Sequence, residues 1–243
     1  MQAWGLTEPG MVRAQNQDYY VIQKLSRDQL LVIVCDGMGG ARSGNIASKM
    51  AVEVFSDEVR RTVRSNMKAD RIDAMLSSAL ELANKAVFEQ SQLSEEYKGM
   101  GTTLVAAFFQ KDRVTIANVG DSRAYLFNKD GVSAVTTDHS LVELMVQRGE
   151  LTRETAKNHP GKNLITRAVG TESSVSCDLY HLQLMKGDSV LLCSDGLSNL
   201  LSDQEMLFEV VHGVNKSDCC QRLINIANYR GSPDNVTVAL ISA

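Results

Sequence analysis

Two aspartates in this chain stand where an apolar run stops at a carboxylate followed by glycine. The run LLVIVC, residues 30–35, leads directly into Asp36 and Gly37, and glycine recurs at positions 39 and 40. The run VLLC leads through one serine into Asp195, which glycine again follows. Such a run predicts a strand covered on both faces, so its end lies in the protein interior. Because buried aspartates are normally paired or bound to a metal, these positions predict a functional site, although either motif alone also fits an ordinary Asp-Gly turn.

Three further aspartates border predicted strands. Asp18 closes the polar run RAQNQD, Asp121 lies in VGDSR, and Asp234 precedes the strand-like sequence VTVALIS. If these strands are neighbours, their ends converge, and a carboxylate cluster without matching basic residues repels itself unless a divalent cation is present. Oxygen ligands suit magnesium, manganese or calcium better than zinc, which prefers sulfur and nitrogen. The sequence therefore predicts a site for hard divalent cations.

The composition predicts one globular domain over residues 1–243. The chain is 44% hydrophobic and 22% charged, which is enough for a full core. A net charge of −4 argues against a general nucleic-acid-binding protein, which usually carries a basic face. Five cysteines, an odd number without CxxC spacing, predict buried free thiols. The sequence shows neither a leader nor a membrane-spanning run, so we expect a protein of the reducing cytoplasm that does not bind membranes.

The order of strands and helices predicts an α+β fold. Two apolar runs predict a hairpin over residues 19–35, and helical stripes of apolar residues begin at Ile46 and Ile72. Alternation with period two between residues 99 and 137 predicts four strands, which we expect to form a meander. Further strands and two more helices follow after residue 175. Antiparallel strands with helices gathered in pairs predict a four-layer α-β-β-α sandwich, in which helix pairs flank two central antiparallel sheets.

Eight short motifs in this order resemble one known family. They are RAQNQD, VCDGMGG, GTT, VGDSR, TDHS, NLITRAVG, CSDGL and PDNVT. Each is weak alone, but together they span nearly the whole chain and are similar to the metal-dependent protein phosphatases, the type 2C serine/threonine class, in their bacterial form. The resemblance implies a central sandwich of two antiparallel sheets, with a dinuclear manganese or magnesium centre at one edge.

The resemblance also implies roles for individual residues. Asp36 matches the ligand that bridges the two metals, and Asp121 with Asp195 matches a weaker third site. Arg13, five residues before Asp18, matches the arginine that binds substrate phosphate. The implied catalytic residues are Arg13, Asp36 and Asp195. The full set of implied metal ligands is Asp18, Asp36, the Gly37 carbonyl, Asp121, Asp195 and Asp234.

These residue types suit phosphate hydrolysis. Two divalent ions ~4 Å apart can hold a bridging water, lower its pKa and present hydroxide for in-line attack on phosphorus. A planar guanidinium can hold two phosphate oxygens at once. No cysteine or serine is set up as a nucleophile, so we expect no phosphoenzyme.

The chain departs from the family at the expected proton donor. Animal members carry a histidine directly after the Asp-Gly pair, and many bacterial members carry one just after the glycines, whereas this chain has Met38 and Ala41. Protonation of the leaving alcohol must then come from metal-bound water or another residue. His139 of TDHS is one candidate, and a structural hydrogen-bonding histidine is the alternative. Asn199 stands where some relatives have an acid for the third metal, which would weaken that site.

The irregular stretch at about 141–163 corresponds in the family to a flap beside the active site. Its charged residues could contact a substrate protein, or they could form a solvated helical surface with no such task. The charged residues are Glu143, Arg148, Glu150, Arg153, Glu154 and Lys157.

The predicted function is metal-dependent hydrolysis of phosphoserine and phosphothreonine in proteins. We expect a monomer that acts in a bacterial cytoplasm on phosphorylated proteins, opposite a cognate serine/threonine kinase. One alternative is a weak or inactive relative that binds phosphoproteins, which the missing histidines motivate. The other is a metal-dependent phosphodiesterase or nuclease, which the acidic composition disfavours.

Overall fold

The computed structural model describes residues 1–39, 43–156, 158–213 and 215–243. The strands are β1 (Gln2–Glu8), β2 (Asp18–Lys24), β3 (Gln29–Met38), β4 (Gly101–Thr102), β5 (Leu104–Gln110), β6 (Arg113–Val119), β7 (Arg123–Asn128), β8 (Gly131–Ala134), β9 (Asp178–Gln183), β10 (Ser189–Cys193) and β11 (Val236–Ser242). The α-helices are α1 (Gly44–Thr62), α2 (Ala69–Ser91), α3 (Leu141–Gln147), α4 (Arg153–Ala156), α5 (Asp195–Ser198), α6 (Asp203–His212) and α7 (Cys219–Tyr229).

The strands form two antiparallel sheets. One has the order β1-β11-β10-β7-β8, and the other has the order β2-β3-β5-β6-β9 with β4 paired to β3. The predicted β2–β3 hairpin is confirmed, with Asp18 directly opposite Asp36. The meander prediction is wrong, because β5 and β6 belong to the second sheet while β7 and β8 belong to the first. The chain changes sheet at Gly120, whose positive φ of 102° permits the sharp turn between β6 and β7.

Alternating side chains of β3 show how the layers are held together. Leu31 and Ile33 pack on the α1 and α2 side, whereas Val32 and Val34 pack between the two sheets. All four are fully buried, which explains why the strand reads as a continuous apolar run. Burial of one such side chain contributes about 1.5–3 kcal/mol to folding.

Three apolar layers separate the four layers of secondary structure. The first joins α1 and α2 to the β3 sheet, the second joins the two sheets, and the third joins α6 and α7 to the β10 sheet. The predicted α-β-β-α sandwich is therefore confirmed. In the described parts of the chain, no helix is long and apolar enough to cross a membrane.

Candidate metal centre

Asp18 and Asp36 face each other at one edge of the β3 sheet. Asp18 is the first residue of β2, and Asp36 lies near the end of β3, in register with it. Side chains directly opposite on neighbouring antiparallel strands lie within about 5 Å of each other at Cβ. Two carboxylates in that position repel each other, so their ionised forms need a cation between or beside them.

The second sheet contributes Asp195 and Asp234 to the same edge. β10 ends at Cys193, and Asp195 opens the short helix α5 two residues later, while Asp234 lies two residues before β11. The Asp234 carboxylate accepts a hydrogen bond of 2.9 Å from the backbone N–H of Asn235. Adjacent ends of β10 and β11 therefore present these two acids side by side.

Asp18 ties the two sheets together at this edge. Its Oδ2 accepts hydrogen bonds from the hydroxyl groups of Ser194 (2.8 Å), the residue after β10, and of Thr237 (2.6 Å) in β11. Ser194 Oγ also accepts the backbone N–H of Thr237 at 3.0 Å. These contacts fix the distance between the acids of one sheet and the acids of the other.

The carboxylates raise one another's pKa. Burial is the largest cause of the raised pKa of Asp18, which reaches about 7, and the charges of Asp195 and Asp234 add to it. The pKa of Asp36 is raised well above its usual value by burial and then by the charges of Asp18 and Asp195. Burial and the charge of Asp234 raise the pKa of Asp195, which a hydrogen bond with Asp36 partly offsets. The acids therefore form one electrostatically linked cluster.

The donor atoms of this cluster fit hard divalent cations. Asp18 Oδ1 and Asp195 Oδ1 are buried and make no hydrogen bond within the described part of the chain, although a buried carboxylate oxygen normally has a partner. A cation would supply one, and oxygen ligands suit magnesium or manganese. Among the described residues, no group of three or more acidic, histidine or cysteine side chains is arranged so that it could already hold a metal ion. The fit to a cation is carried by the type of donor atom and by these two buried oxygens.

Gly37 lies tightly packed beside Asp36. Its N–H donates to the carbonyl of Gln17 at 3.1 Å, and a Cβ on Gly37 would lie 2.1 Å from the carbonyl oxygen of Gly44. Glycine is therefore required where β3 meets the start of α1. Met38 follows and lines a cavity of about 460 Å³ together with Arg167, while Ala41 lies outside the described residues.

Arg13 stands at the rim of the cluster. Its Nη2 donates to Asp234 Oδ2 at 2.9 Å, and 54% of its side chain is exposed. Its pKa is raised by the hydrogen bond and the charge of Asp234, and more weakly by the charges of Asp36 and Asp195. The guanidinium is therefore held beside the acids while remaining accessible to a ligand.

Asn235 holds the loop that carries Arg13, a contact that the sequence analysis missed. Its amide nitrogen donates to the carbonyls of Pro9 and Gln15, both at 3.0 Å, and its Oδ1 accepts the N–H of Gln17 at 2.8 Å. The only signal in the sequence is its place beside Asp234 in the PDNVT motif.

Asp121 occupies the turn between β6 and β7, close to Asp195. Burial raises its pKa to about 7, and the charges of Asp195 and Asp138 contribute. Asp138 is held by Arg123, whose Nε donates to its Oδ1 at 2.8 Å. Asn199 donates to Asp195 Oδ2 at 3.0 Å. The role of Asp121 and the other acids as metal ligands stays a prediction.

The predicted flap borders a cavity of about 1090 Å³ that reaches Asp121 and Asp195. The flap contains α3 and α4, and its two ends meet in an antiparallel bridge between Ser140 and Ile165. Arg153 pairs with Glu143 at 3.2 Å inside the flap, and the predicted charged position Lys157 lies outside the described residues.

Comparisons with known proteins identify the family of this chain. The family model described as Protein phosphatase 2C matches residues 12–222. The serine/threonine phosphatase stp of Listeria innocua is 39% identical over 241 residues, covering 99% of this chain and 95% of the relative. The solved structure of the S. agalactiae serine/threonine phosphatase has a TM-score of 0.93 at 38% identity and covers 98% of each chain.

A further solved structure holds metal. It is the catalytic domain of the serine/threonine protein phosphatase PstP in complex with two manganese ions, with a TM-score of 0.83, 30% identity and coverage of 98% of this chain and 96% of that one. This chain belongs to the protein phosphatase 2C family. The resemblance and the enzyme class predicted from the sequence are thereby confirmed.

Proposed function

We propose that this chain is a metal-dependent phosphatase that hydrolyses phosphoserine and phosphothreonine in proteins, acting in a bacterial cytoplasm opposite a serine/threonine kinase. The observation that carries the proposal is the meeting of acids from both sheets at one edge, fixed by the hydrogen bonds of Ser194 and Thr237 to Asp18. Relatives named serine/threonine phosphatase support the substrate class. We further propose that the enzyme is a single-domain monomer that binds neither nucleic acid nor membranes.

The acids of the cluster would hold two manganese or magnesium ions. The residues that would hold them are Asp18, Asp36 and the Gly37 carbonyl at the edge of one sheet, and Asp195 and Asp234 at the edge of the other. Asp121 together with Asp195 would hold a third, weaker ion. Divalent cations bound here would supply Lewis acidity, lower the pKa of water and neutralise charge that develops at phosphorus.

Arg13 would bind and orient the substrate phosphate. Its ion pair with Asp234 directs the guanidinium toward the cluster, and its exposure leaves room for a phosphate to approach. A guanidinium presents parallel N–H donors that match two phosphate oxygens, which lysine cannot do. Asn235 preserves this arrangement by fixing the loop between Pro9 and Gln17.

One assay separates this proposal from its alternatives. We would measure manganese-dependent phosphate release from a phosphothreonine peptide, and compare it with p-nitrophenyl phosphate and with DNA. The phosphatase should act on the first two and not on DNA. Asp36→Asn should lower the rate on the peptide by about 100-fold or more, because charge stabilisation in the transition state is lost.

Asp130→Asn is the matched control, since Asp130 lies exposed in the turn between β7 and β8. It should retain the rate of the original chain. Activity that survives chelation or Asp36→Asn would reject the metal-dependent mechanism. Tight binding of the phosphopeptide without turnover would indicate an inactive relative, and cleavage of DNA would indicate a phosphodiesterase or nuclease.

A further inference from the structure

His139 lies buried between the turn that carries Asp121 and the base of the flap. Its side chain is 8% exposed. Its backbone N–H donates to the carbonyl of Gly120 at 2.9 Å, and its own carbonyl accepts the N–H of Thr166 at 2.8 Å. Its backbone therefore connects the two segments. The next residue, Ser140, forms the β-bridge with Ile165 that joins the two ends of the flap.

The hydrogen bonds of the imidazole fix its tautomer. The backbone N–H of Gly120 points at Nδ1 at 3.0 Å, so Nδ1 is an acceptor and carries no proton. In the neutral ring the proton is then on Nε2, which lies 3.2 Å from Asp178 Oδ2 and 3.1 Å from Arg167 Nη1. Asp178 is itself held by Arg167, whose Nη1 lies 2.8 Å from its other oxygen.

This arrangement leaves neither imidazole nitrogen free to give a proton to a leaving alcohol. Nδ1 accepts from the backbone of Gly120, and Nε2 is occupied by Asp178 and Arg167 at the flap base. Burial is the largest influence on the pKa of His139 and lowers it, which favours the neutral ring. Between the two interpretations of this histidine offered by the sequence, the geometry favours the structural one.

The turn braced by His139 packs against Thr103, which in turn contacts β3. A Cβ on Gly120 would lie 2.6 Å from Thr103 Cγ2, so the turn has little room to move. Thr103 Oγ1 lies 2.6 Å from Ser122 Oγ and accepts the backbone N–H of Asp36 at 2.9 Å. A continuous set of contacts thus runs from the flap base through His139, Gly120 and Thr103 to Asp36.

We propose that His139 is a positioning residue, whose Nδ1 holds the Gly120–Asp121 turn against the metal centre and whose Nε2 joins that turn to Asp178 and Arg167 at the flap base. It is not the proton donor of the reaction. This inference rests on the proposed function for the metal centre, and it assigns to one side chain the coupling between that centre and the flap.

Three substitutions at one position distinguish the contacts of the two imidazole nitrogens. In His139→Asn the amide oxygen lies near the former Nδ1 and can still accept from Gly120, while the contact with Asp178 is lost. In His139→Gln the contact with Asp178 is kept and the one with Gly120 is lost, and His139→Ala loses both. Asp178→Asn changes the contact at the flap base while leaving the histidine in place. His181→Gln is the matched control, because His181 is an exposed histidine of β9.

Two readouts are measured for each variant. The first is the affinity for Mn²⁺ by isothermal titration calorimetry. The second is kcat on a phosphothreonine peptide, whose alkoxide leaving group needs a proton, and on p-nitrophenyl phosphate, whose leaving group is stable as an anion. Loss of the positioning contact should weaken Mn²⁺ binding by about 10- to 100-fold in the Gln and Ala variants, as for other groups that orient ligands. Their kcat should fall to the same extent on both substrates.

The conservative variant decides the outcome. His139→Asn should stay within about threefold of the original chain in Mn²⁺ affinity, because one hydrogen bond to the buried Gly120 N–H is preserved. A loss on the peptide alone, in all three variants and with unchanged Mn²⁺ affinity, would overturn the proposal and make His139 the proton donor. Equal Mn²⁺ affinity in the Asn and Ala variants would also overturn it.

The calorimetric readout keeps this test separate from that of the proposed function. If the original chain releases no phosphate from either substrate, the proposed function fails, but Mn²⁺ affinities of the variants still decide the positioning role. Circular dichroism and thermal unfolding identify any variant that does not fold. If the His139 variants do not fold, Asp178→Asn carries the test. It removes the same contact as His139→Asn and should stay within about threefold of the original chain in Mn²⁺ affinity, because the hydrogen bond to the Gly120 N–H is preserved. An effect as large as that of Asp36→Asn would contradict the proposal.

Discussion

Asp18→Asn should stabilise the metal-free protein and reduce the stabilisation that Mn²⁺ gives to the folded state. Asp18 is buried, directly opposite Asp36, and its Oδ1 makes no hydrogen bond within the described residues. Without a cation, its ionised form is opposed by burial and by neighbouring acids. Asparagine removes the charge, while its amide oxygen can still accept from the Ser194 and Thr237 hydroxyl groups.

The raised pKa of Asp18 sets the magnitude of this effect. A rise from 3.8 to about 7 corresponds to about 4 kcal/mol of unfavourable free energy for the ionised group above that pH. The original chain avoids part of this cost, because neighbouring acids can rearrange or bind a proton in place of Asp18. We therefore expect Asp18→Asn in EDTA to be more stable than the original chain by about 2 kcal/mol. For a chain of this size that raises Tm by about 4–8 °C.

The pH dependence has a definite sign. The folded-state pKa of Asp18 lies above its unfolded value, so between pH 3.8 and about 7 the folded state binds more protons than the unfolded state. The stability that the folded state gains from protonated Asp18 is therefore present at low pH and is lost as the pH rises through about 7. In EDTA, the free energy of unfolding of the original chain should fall across that pH range, and that of Asp18→Asn should fall less.

The assay is thermal unfolding in EDTA and in excess Mn²⁺, at a series of pH values from about 5 to 8. Asp130→Asn, in an exposed turn, should follow the original chain in both conditions. Mn²⁺ should raise the Tm of the original chain more than that of Asp18→Asn. A chelated Asp18→Asn variant that unfolds at or below the Tm of the original chain near pH 8 would refute the reasoning.

Three further predictions concern the fold around the site. Gly37→Ala should lower the free energy of unfolding by about 3 kcal/mol in urea titrations, since its Cβ would meet the Gly44 carbonyl oxygen at 2.1 Å, and an unchanged midpoint would contradict the packing. Ser202→Ala should lower it by about 1 kcal/mol, because Ser202 and Glu205 form a capping box at the start of α6. In the native protein, Cys177 should be the one cysteine that Ellman's reagent modifies readily, and rapid reaction of the others would show that the core opens. The protected thiols are Cys35, Cys193, Cys219 and Cys220, all buried, and burial raises the pKa of Cys220 to about 11.

The elements of this fold could be predicted from the sequence because their signals are local. Residues 30–35 form a continuous apolar run since β3 is covered on both faces, and the stripes starting at Ile46 and Ile72 belong to the helices α1 and α2. The acids were equally visible, because each follows or precedes a strand signal. The meander was wrong for the opposite reason: a short turn at Gly120 signals a reversal of the chain but not which sheet the next strand joins.

The contacts that give the site its properties were decided by the tertiary structure alone. Ser194 and Asp18 are 176 residues apart, yet their hydrogen bond fixes the spacing of acids from two different sheets. His139 could be named from its motif, but its tautomer depends on Gly120 and Asp178, which only the packed fold brings to its two nitrogens. Sequence determines which side chains are available at the ends of strands, whereas protonation and ligand geometry depend on distances of a few ångströms between segments that are remote along the chain.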